Sequence, residues 1–354
     1  MSPKSRGRAP GRGRTKQSRP VRELGLPAQV LKSAHDILTA TSLQAELWAS
    51  SCLGVAWSKA RTPEQDPISD LCREVAKRGL DRRTPEAVAA VAALRRLLTL
   101  PELAAAFDLL AEEQPEPDWV SAPPAEPVRA WRAVDVWDAQ HALFVDYGGP
   151  DEHTLMAHLV TPGGLMVPTL AVLQPGAAQA WARSQAPDGV PMPLGEAPVP
   201  AVLGELAGAL DATDRYWPRP EAGGFPELRA LAWSRCAAEP PHWPQPDPLT
   251  ADGRAELVEE FLAGLEDPAA ARRPAELIVE FGDDFIIAGP LAWAPDTVPL
   301  FLQDWLPRHA ELEDGEVDAL PEVLKQWLGF ALQRRGVEDA WITPVQDVVD
   351  AYVG

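Results

Sequence analysis

One stretch constrains the fold more than any other: residues 141–173, HALFVDYGGPDEHTLMAHLVTPGGLMVPTLAVL. It is the only long run whose apolar residues recur with a period of two, the signature of a strand with opposite faces. Most of the chain on either side carries helical spacing. A chain of this kind needs a small antiparallel sheet as the floor that its helices cover.

Leu143, Val145 and Tyr147 alternate with Ala142, Phe144 and Asp146, and Gly148-Gly149-Pro150-Asp151 then supplies turn residues. Closing that turn with Tyr147 opposite Glu152 sets His141 against His158 and Asp146 against His153. In this register His141 and His158 share a face with Val145 and Thr154, while His153 and Asp146 lie on the other. A slip of one residue would undo both pairings. Two imidazoles facing each other would hold a metal or move a proton, because neutral histidine is a ligand and titrates near neutrality. His141, His158, Asp146 and His153 are therefore the catalytic candidates. The structural alternative is histidines at strand ends, hydrogen-bonded and partly exposed, and zinc sites draw three or four ligands from spacings absent here. Gly163-Gly164 marks a second turn before a strand at 165–173, where Pro168 cannot donate to a ladder and so predicts a sheet edge.

At 354 residues the chain has material for more than one core. No run reaches the roughly 20 apolar residues that span a bilayer, and the N-terminus lacks the apolar core of a secretory signal. Cys52, Cys72 and Cys236 are too few and scattered for a disulfide framework. These features point to a cytoplasmic protein without membrane, metal or cofactor.

The net charge of −20 is unevenly placed. Residues 1–25 form a Gly, Pro, Ser and Arg-rich tail with Lys4, Arg6, Arg8, Arg12, Arg14, Lys16, Arg19 and Arg22, and it holds too little to bury to repay the entropy of ordering. The tail is expected to be disordered. Residues 1–22 carry no acid, so from residue 23 onward the chain has 24 bases against 52 acids, near −28. Such a body repels nucleic acid while the tail attracts nucleic acid or acidic surfaces. A solubilising tail and an intramolecular tether are the competing readings.

Residues 26–113 read as about five helices. Thr41 and Gln44 form a capping box, Gly79 suits a helix end, and Thr84-Pro85-Glu86 and Thr99 with Pro101 open the next two. Trp48, Trp57 and Phe107 at helical spacing read as core. Residues 114–127, with five prolines, read as a linker in which Trp119 docks onto a neighbour. Residues 128–248 form an α+β region: a first strand around Trp131, the hairpin, and helices over 176–186, 199–213 and 226–237. Prolines keep its later elements short, and 240–248 reads as a polyproline-like connector.

Residues 249–354 read as a C-terminal helical region. Asp283 and Asp284 there lack the third carboxylate a cation site needs. Residues 295–307 read as a helix capped by Asp296 that buries Phe301, Leu302 and Trp305, and 311–318 as an acidic loop. Residues 320–335 form the most regular helix, with Arg334 and Arg335 at its negative end and Gly336 as its stop.

DYGGPDEHTL followed by PGG, and PLFLQDWLPRH followed by LPEVLKQWLGFALQRRG, resemble a family of proteins from high-GC actinobacteria over roughly residue 31 to the C-terminus. No activity is attached to that family. The resemblance implies a bacterial cytoplasmic location and one evolved unit, and it carries no functional residue here.

No GxSxG elbow, GxxxxGK[ST] loop, HExxH or EF-hand loop is present, and His309-Ala310-Glu311 lacks the PCxxC of a zinc deaminase. The expected fold is α+β and predominantly helical: an N-terminal helical bundle, a small central antiparallel β-meander and C-terminal helices. The expected function is a non-catalytic protein-interaction module with a protein partner. The alternatives are a nucleic-acid-associated protein acting through its basic arm, and a metal-assisted hydrolase centred on His141 and His158.

Overall fold

The computed structural model describes residues 25–186, 189–220 and 223–353. The basic tail and its eight cations lie outside the described residues.

Five helices come first: α1 (Leu26–Ser33), α2 (Ser42–Trp57), α3 (Pro67–Arg82), α4 (Pro85–Leu97) and α5 (Pro101–Ala111). The predicted capping box opens α2, with Thr41 and Gln44 each accepting the other's backbone N–H. Asp66 and Thr84 cap α3 and α4, and Pro67, Pro85 and Pro101 each stand in a first turn, where a missing N–H costs nothing. Helix α4 is buried nearly all round through Ala87–Leu94 and serves as the bundle's axis. Gly79 does not end α3, as its residue type had suggested. It is buried against Ala87, Val91 and Leu110, and the chain turns instead at Arg83, which takes the left-handed conformation at φ 51°. Trp119 docks as expected, its indole N–H donating to the Ile37 carbonyl at 2.6 Å.

A five-stranded antiparallel sheet comes next, built from β1 (Glu126–Val134), β2 (Gln140–Gly148), β3 (His153–Val160), β4 (Met166–Leu173) and β5 (Leu194–Ala197), in the order β4-β3-β2-β1-β5. The meander and the edge position of Pro168 agree with expectation. Strand β5 was not foreseen: it is four residues long, inside the proline-rich stretch, and pairs with β1 only through Leu194–Ala197.

Three helices sandwich the sheet: α6 (Ala177–Ser184) comes after β4, and α7 (Val199–Arg215) and α8 (Phe225–Cys236) come after β5. One face, carrying Leu143, Val145, Tyr147, Leu155, Ala157 and Leu159, packs on α7 and α8. The other, with Trp131, Phe144 and Met156, is covered by Ala178 and Trp181 of α6. Ala230 and Leu231 of α8 also belong to the core of α1–α5, so α8 lies between sheet and bundle. The connector after α8 crosses α7 at Gly208, where an added Cβ would stand 2.6 Å from the His242 carbonyl oxygen.

The C-terminal region comprises α9 (Ala251–Leu262), α10 (Pro268–Phe285), α11 (Thr297–Pro299), a π-helical segment (Leu300–Trp305), α12 (Leu306–His309), α13 (Asp314–Arg334) and α14 (Asp339–Val353). Two expectations are corrected here. Asp296 gives no side-chain cap, and the helix predicted over 295–307 widens into a π turn between Pro299 and Pro307. A proline ring clashes with the carbonyl four residues back in an α-helix, and widening relieves that clash. Helix α13 begins at Asp314 within the predicted acidic loop, because Glu313 and Glu316 form a capping box.

Candidate functional site

The sheet register separates the hairpin histidines. Tyr147 stands opposite His153, not Glu152, and the one-residue difference places His141 opposite Leu159, His158 opposite Ala142 and Asp146 opposite Thr154. The predicted His141–His158 and Asp146–His153 pairings are therefore not formed. His141 and His153 share the face toward α7 and α8, six residues or about 20 Å apart along the strands. His158 and Asp146 belong to the opposite face. Among the described residues no group of three or more His, Cys, Asp and Glu is placed to hold a metal ion.

Each histidine has a structural setting. His141 is 1 % exposed, with Nε2 3.3 Å from the Asp138 carbonyl oxygen, Nδ1 buried without a partner, and its ring edge-on to Trp243 at 5.0 Å. Burial pushes its pKa down to about 4, so the ring is neutral at physiological pH. Arg132 and Glu205 approach to 3.1 Å nearby as an ion pair whose angle is not that of a hydrogen bond. His153 stacks on Tyr147 at 5.0 Å, its Nδ1 2.8 Å from the Asp151 carbonyl oxygen. Burial lowers its pKa and that of His158. Asp146 accepts a hydrogen bond from the Thr154 hydroxyl.

Beside His153, Glu46 of α2 is 3 % exposed and receives Arg96 of α4 at 2.8 Å and Arg235 of α8 at 2.6 Å. Asp151 accepts the Leu43 N–H at 3.0 Å and so fixes the hairpin turn to the start of α2. Asp283 and Asp284 are likewise taken up by the protein itself: both accept from Arg254, and Asp283 also accepts the Leu249 N–H.

A ligand-sized space with aromatic walls lies elsewhere, between the sheet's turns and the C-terminal helices. A cavity of about 290 Å³ is bounded by Ala139 and Thr161–Gly164 from the sheet, by Phe281, Asp284 and Phe285 of α10, by Ala292 and Thr297, and by Leu300, Asp304, Trp305, Arg308 and His309. Its size is near the lower end for small-molecule sites, and aromatic walls with few polar groups are their usual lining. The π turn sets Trp305 and His309 on this wall. Their rings stack at 4.7 Å, and the His309 Nδ1–H donates to the Trp305 carbonyl at 2.7 Å. Phe281 and Phe285 form a second stack at 5.7 Å, crossing Trp305 at 63° and 68°. Phe285 is 50 % exposed at the rim.

Trp305 is 4 % exposed, and its indole N–H is buried without an acceptor. The cavity's ionic groups are, by contrast, engaged: Asp284 with Arg254, and Asp304 with Arg308 at 3.4 Å. The sequence pattern singles out Trp305, Phe301 and the two aspartates, but as core and as a weak cation site. The prolines at 299 and 307 around an aromatic run are the available signal for the π turn. Nothing local joins Trp305 to Gly163, about 140 residues away in the chain.

No protein-family model, no curated protein and no solved structure matches this chain. Among the described residues no helix is long and apolar enough to cross a membrane.

Proposed function

We propose that this is a non-catalytic binding protein whose ligand enters the cavity between the sheet turns and α10–α12. The observation that carries the reading is a partly open pocket of about 290 Å³ with largely apolar, aromatic walls. Binding is favoured over catalysis because the cavity's acids are held by arginines and His309 has one nitrogen committed to a carbonyl. General acid-base work needs such groups free to reach a substrate.

A protein partner is the second reading, favoured by the half-exposed Phe285 ring at the rim, which a partner's apolar side chain would cover. The nucleic-acid reading rests on residues outside those described. The hydrolase reading required a histidine pair that the register does not form.

The test is thermal unfolding of the full chain with small aromatic compounds, beside Ala292→Phe and Leu300→Trp, which fill the cavity from different walls. A ligand at a hundred times its Kd adds about 2.7 kcal/mol to stability. The expected result is a raised Tm in the native chain and none in either filled variant. Equal shifts in all three would place binding elsewhere and overturn the reading.

A further inference from the structure

We propose that the protein has a second binding site, independent of the cavity described above: an aromatic cleft at the end of α7 that takes a proline-rich segment of a partner protein in the polyproline II conformation.

The cleft, of about 600 Å³, opens between the last turns of α7, the residues that follow it and the connector after α8. Leu165, Gly208, Ala212 and Ile287 line it with apolar or small groups, and Tyr216, Trp217 and Trp243 line it with rings. The connector is seated by its His242 N–H, which donates to the Gly204 carbonyl at 3.0 Å, and by the close approach at Gly208. That seating brings Trp243 to the same cleft as Trp217. All three rings reach water: Trp217 is 41 % exposed, and Tyr216 and Trp243 are half-buried.

Each ring is also held in place. The Tyr216 hydroxyl donates to the Gly163 carbonyl at 2.7 Å, and Trp243 stands edge-on to the buried His141 ring at 5.0 Å. Trp217 lies 5.8 Å from the Arg219 guanidinium, which is itself fixed by donating to the Trp57 carbonyl at 2.6 Å. Anchored rings lose little freedom when a ligand covers them, so the surface is preorganised for binding.

The polar groups select the ligand. Asp211, the one carboxylate among the described lining residues, is held by Arg215, so the cleft has no net charge to answer. What remains is rich in donors: neither the Trp217 nor the Trp243 indole N–H has an acceptor among the described residues, and Arg215 is 76 % exposed. A sugar would stack on the rings, but its hydroxyls ask for acceptors as well as donors. A proline-rich segment offers carbonyl oxygens, lacks N–H groups at its prolines, and packs its rings on aromatic faces. It is extended before it binds and pays little ordering entropy.

The test is isothermal titration calorimetry of the full chain with three uncharged-side-chain probes: decaproline, a Gly-Ser decapeptide and cellohexaose. Decaproline is expected to bind at least about tenfold tighter than either of the others, a difference of about 1.4 kcal/mol. Trp217→Ala removes the most exposed ring and is expected to weaken decaproline at least about tenfold. Ala212→Trp fills the cleft from α7 and is expected to abolish binding. Decaproline binding no tighter than the Gly-Ser peptide, cellohexaose binding tightest, or native affinity for decaproline in either variant would each overturn the proposal. The three probes on the native chain decide the matter where a variant folds poorly.

Discussion

Gly54 of α2 lies directly beneath the Pro226 carbonyl of α8: a Cβ at position 54 would stand 2.1 Å from that oxygen and 2.9 Å from the Glu227 nitrogen. One helical turn earlier, the buried Ser50 hydroxyl accepts the Leu231 N–H at 3.1 Å. Two small residues four apart thus let the backbones of α2 and α8 approach. Gly54→Ala would gain up to about 1 kcal/mol of helix propensity. The clash is with backbone, which cannot rotate away, so overpacking wins. The expected net loss is roughly 1–3 kcal/mol, measured by urea unfolding; unchanged or higher stability would show that α2 and α8 are not this close.

Glu46 supports the same junction electrostatically. Its carboxylate is 4 % exposed and faces Arg235, itself 8 % exposed, and Arg96. Removing one member of a buried pair leaves an uncompensated charge, typically costing about 3–5 kcal/mol. Glu46→Gln is expected to lose that much, and Glu46→Leu with Arg235→Met to lose less than Glu46→Gln alone, since replacing both partners strands no buried cation at position 235. Denaturant midpoints of the three proteins decide it. A double variant weaker than the single would mean that the pair contributes net stability.

His141 should make stability depend on pH. Burial takes its pKa from 6.5 to about 4, against the opposing pull of Asp138. A folded value below the unfolded one means that the unfolded chain binds the proton first. The contribution is therefore complete above about pH 6.5 and is lost as pH falls toward 4, on the order of 3 kcal/mol in full. His153 and His158 shift in the same direction. Asp135 and Glu205, raised by burial, act with the opposite sign: their share is present at low pH and lost as pH rises through their folded values. Urea unfolding at about pH 7 and pH 5 is expected to show a smaller drop in His141→Gln than in the native chain. Equal drops would show that His141 is not buried neutral.

The sequence announced this sheet but not its register. Gly148-Gly149-Pro150-Asp151 marks a turn by composition, yet which residues face across it depends on the Tyr147–His153 stack and on the Asp151 bond to Leu43, a contact 108 residues apart. Caps such as Thr41 with Gln44 were readable because both partners are local. Strand β5 was not, since a four-residue edge strand has too few alternations to stand out among prolines. The cavity has the same character: its parts are visible singly, while their meeting is a tertiary fact.

Arg335 shows the limit from the other side. Its position after α13 is explained by a cation at the negative end of a helix, but its side chain also donates to the Trp137 carbonyl at 3.0 Å and to Asp138 at 3.3 Å in the β1–β2 turn. That turn is tight: Asp138 has φ 65°, and Asp135 accepts the N–H groups of Trp137 and Ala139. Trp137 in turn donates to the Trp341 carbonyl at 2.9 Å. The arginine therefore joins the end of α13 to the β1–β2 turn, whose Ala139 forms part of the cavity wall. Arg335→Lys keeps the helix-end charge but cannot present two donors from a planar fork. If only the charge mattered, the lysine would be neutral. The expected outcome is a loss of about 1.5–3 kcal/mol, the usual worth of a hydrogen bond to a charged group, together with a smaller rise in Tm with the small aromatic compounds. A lysine variant matching the native chain in both would assign Arg335 to the helix dipole alone.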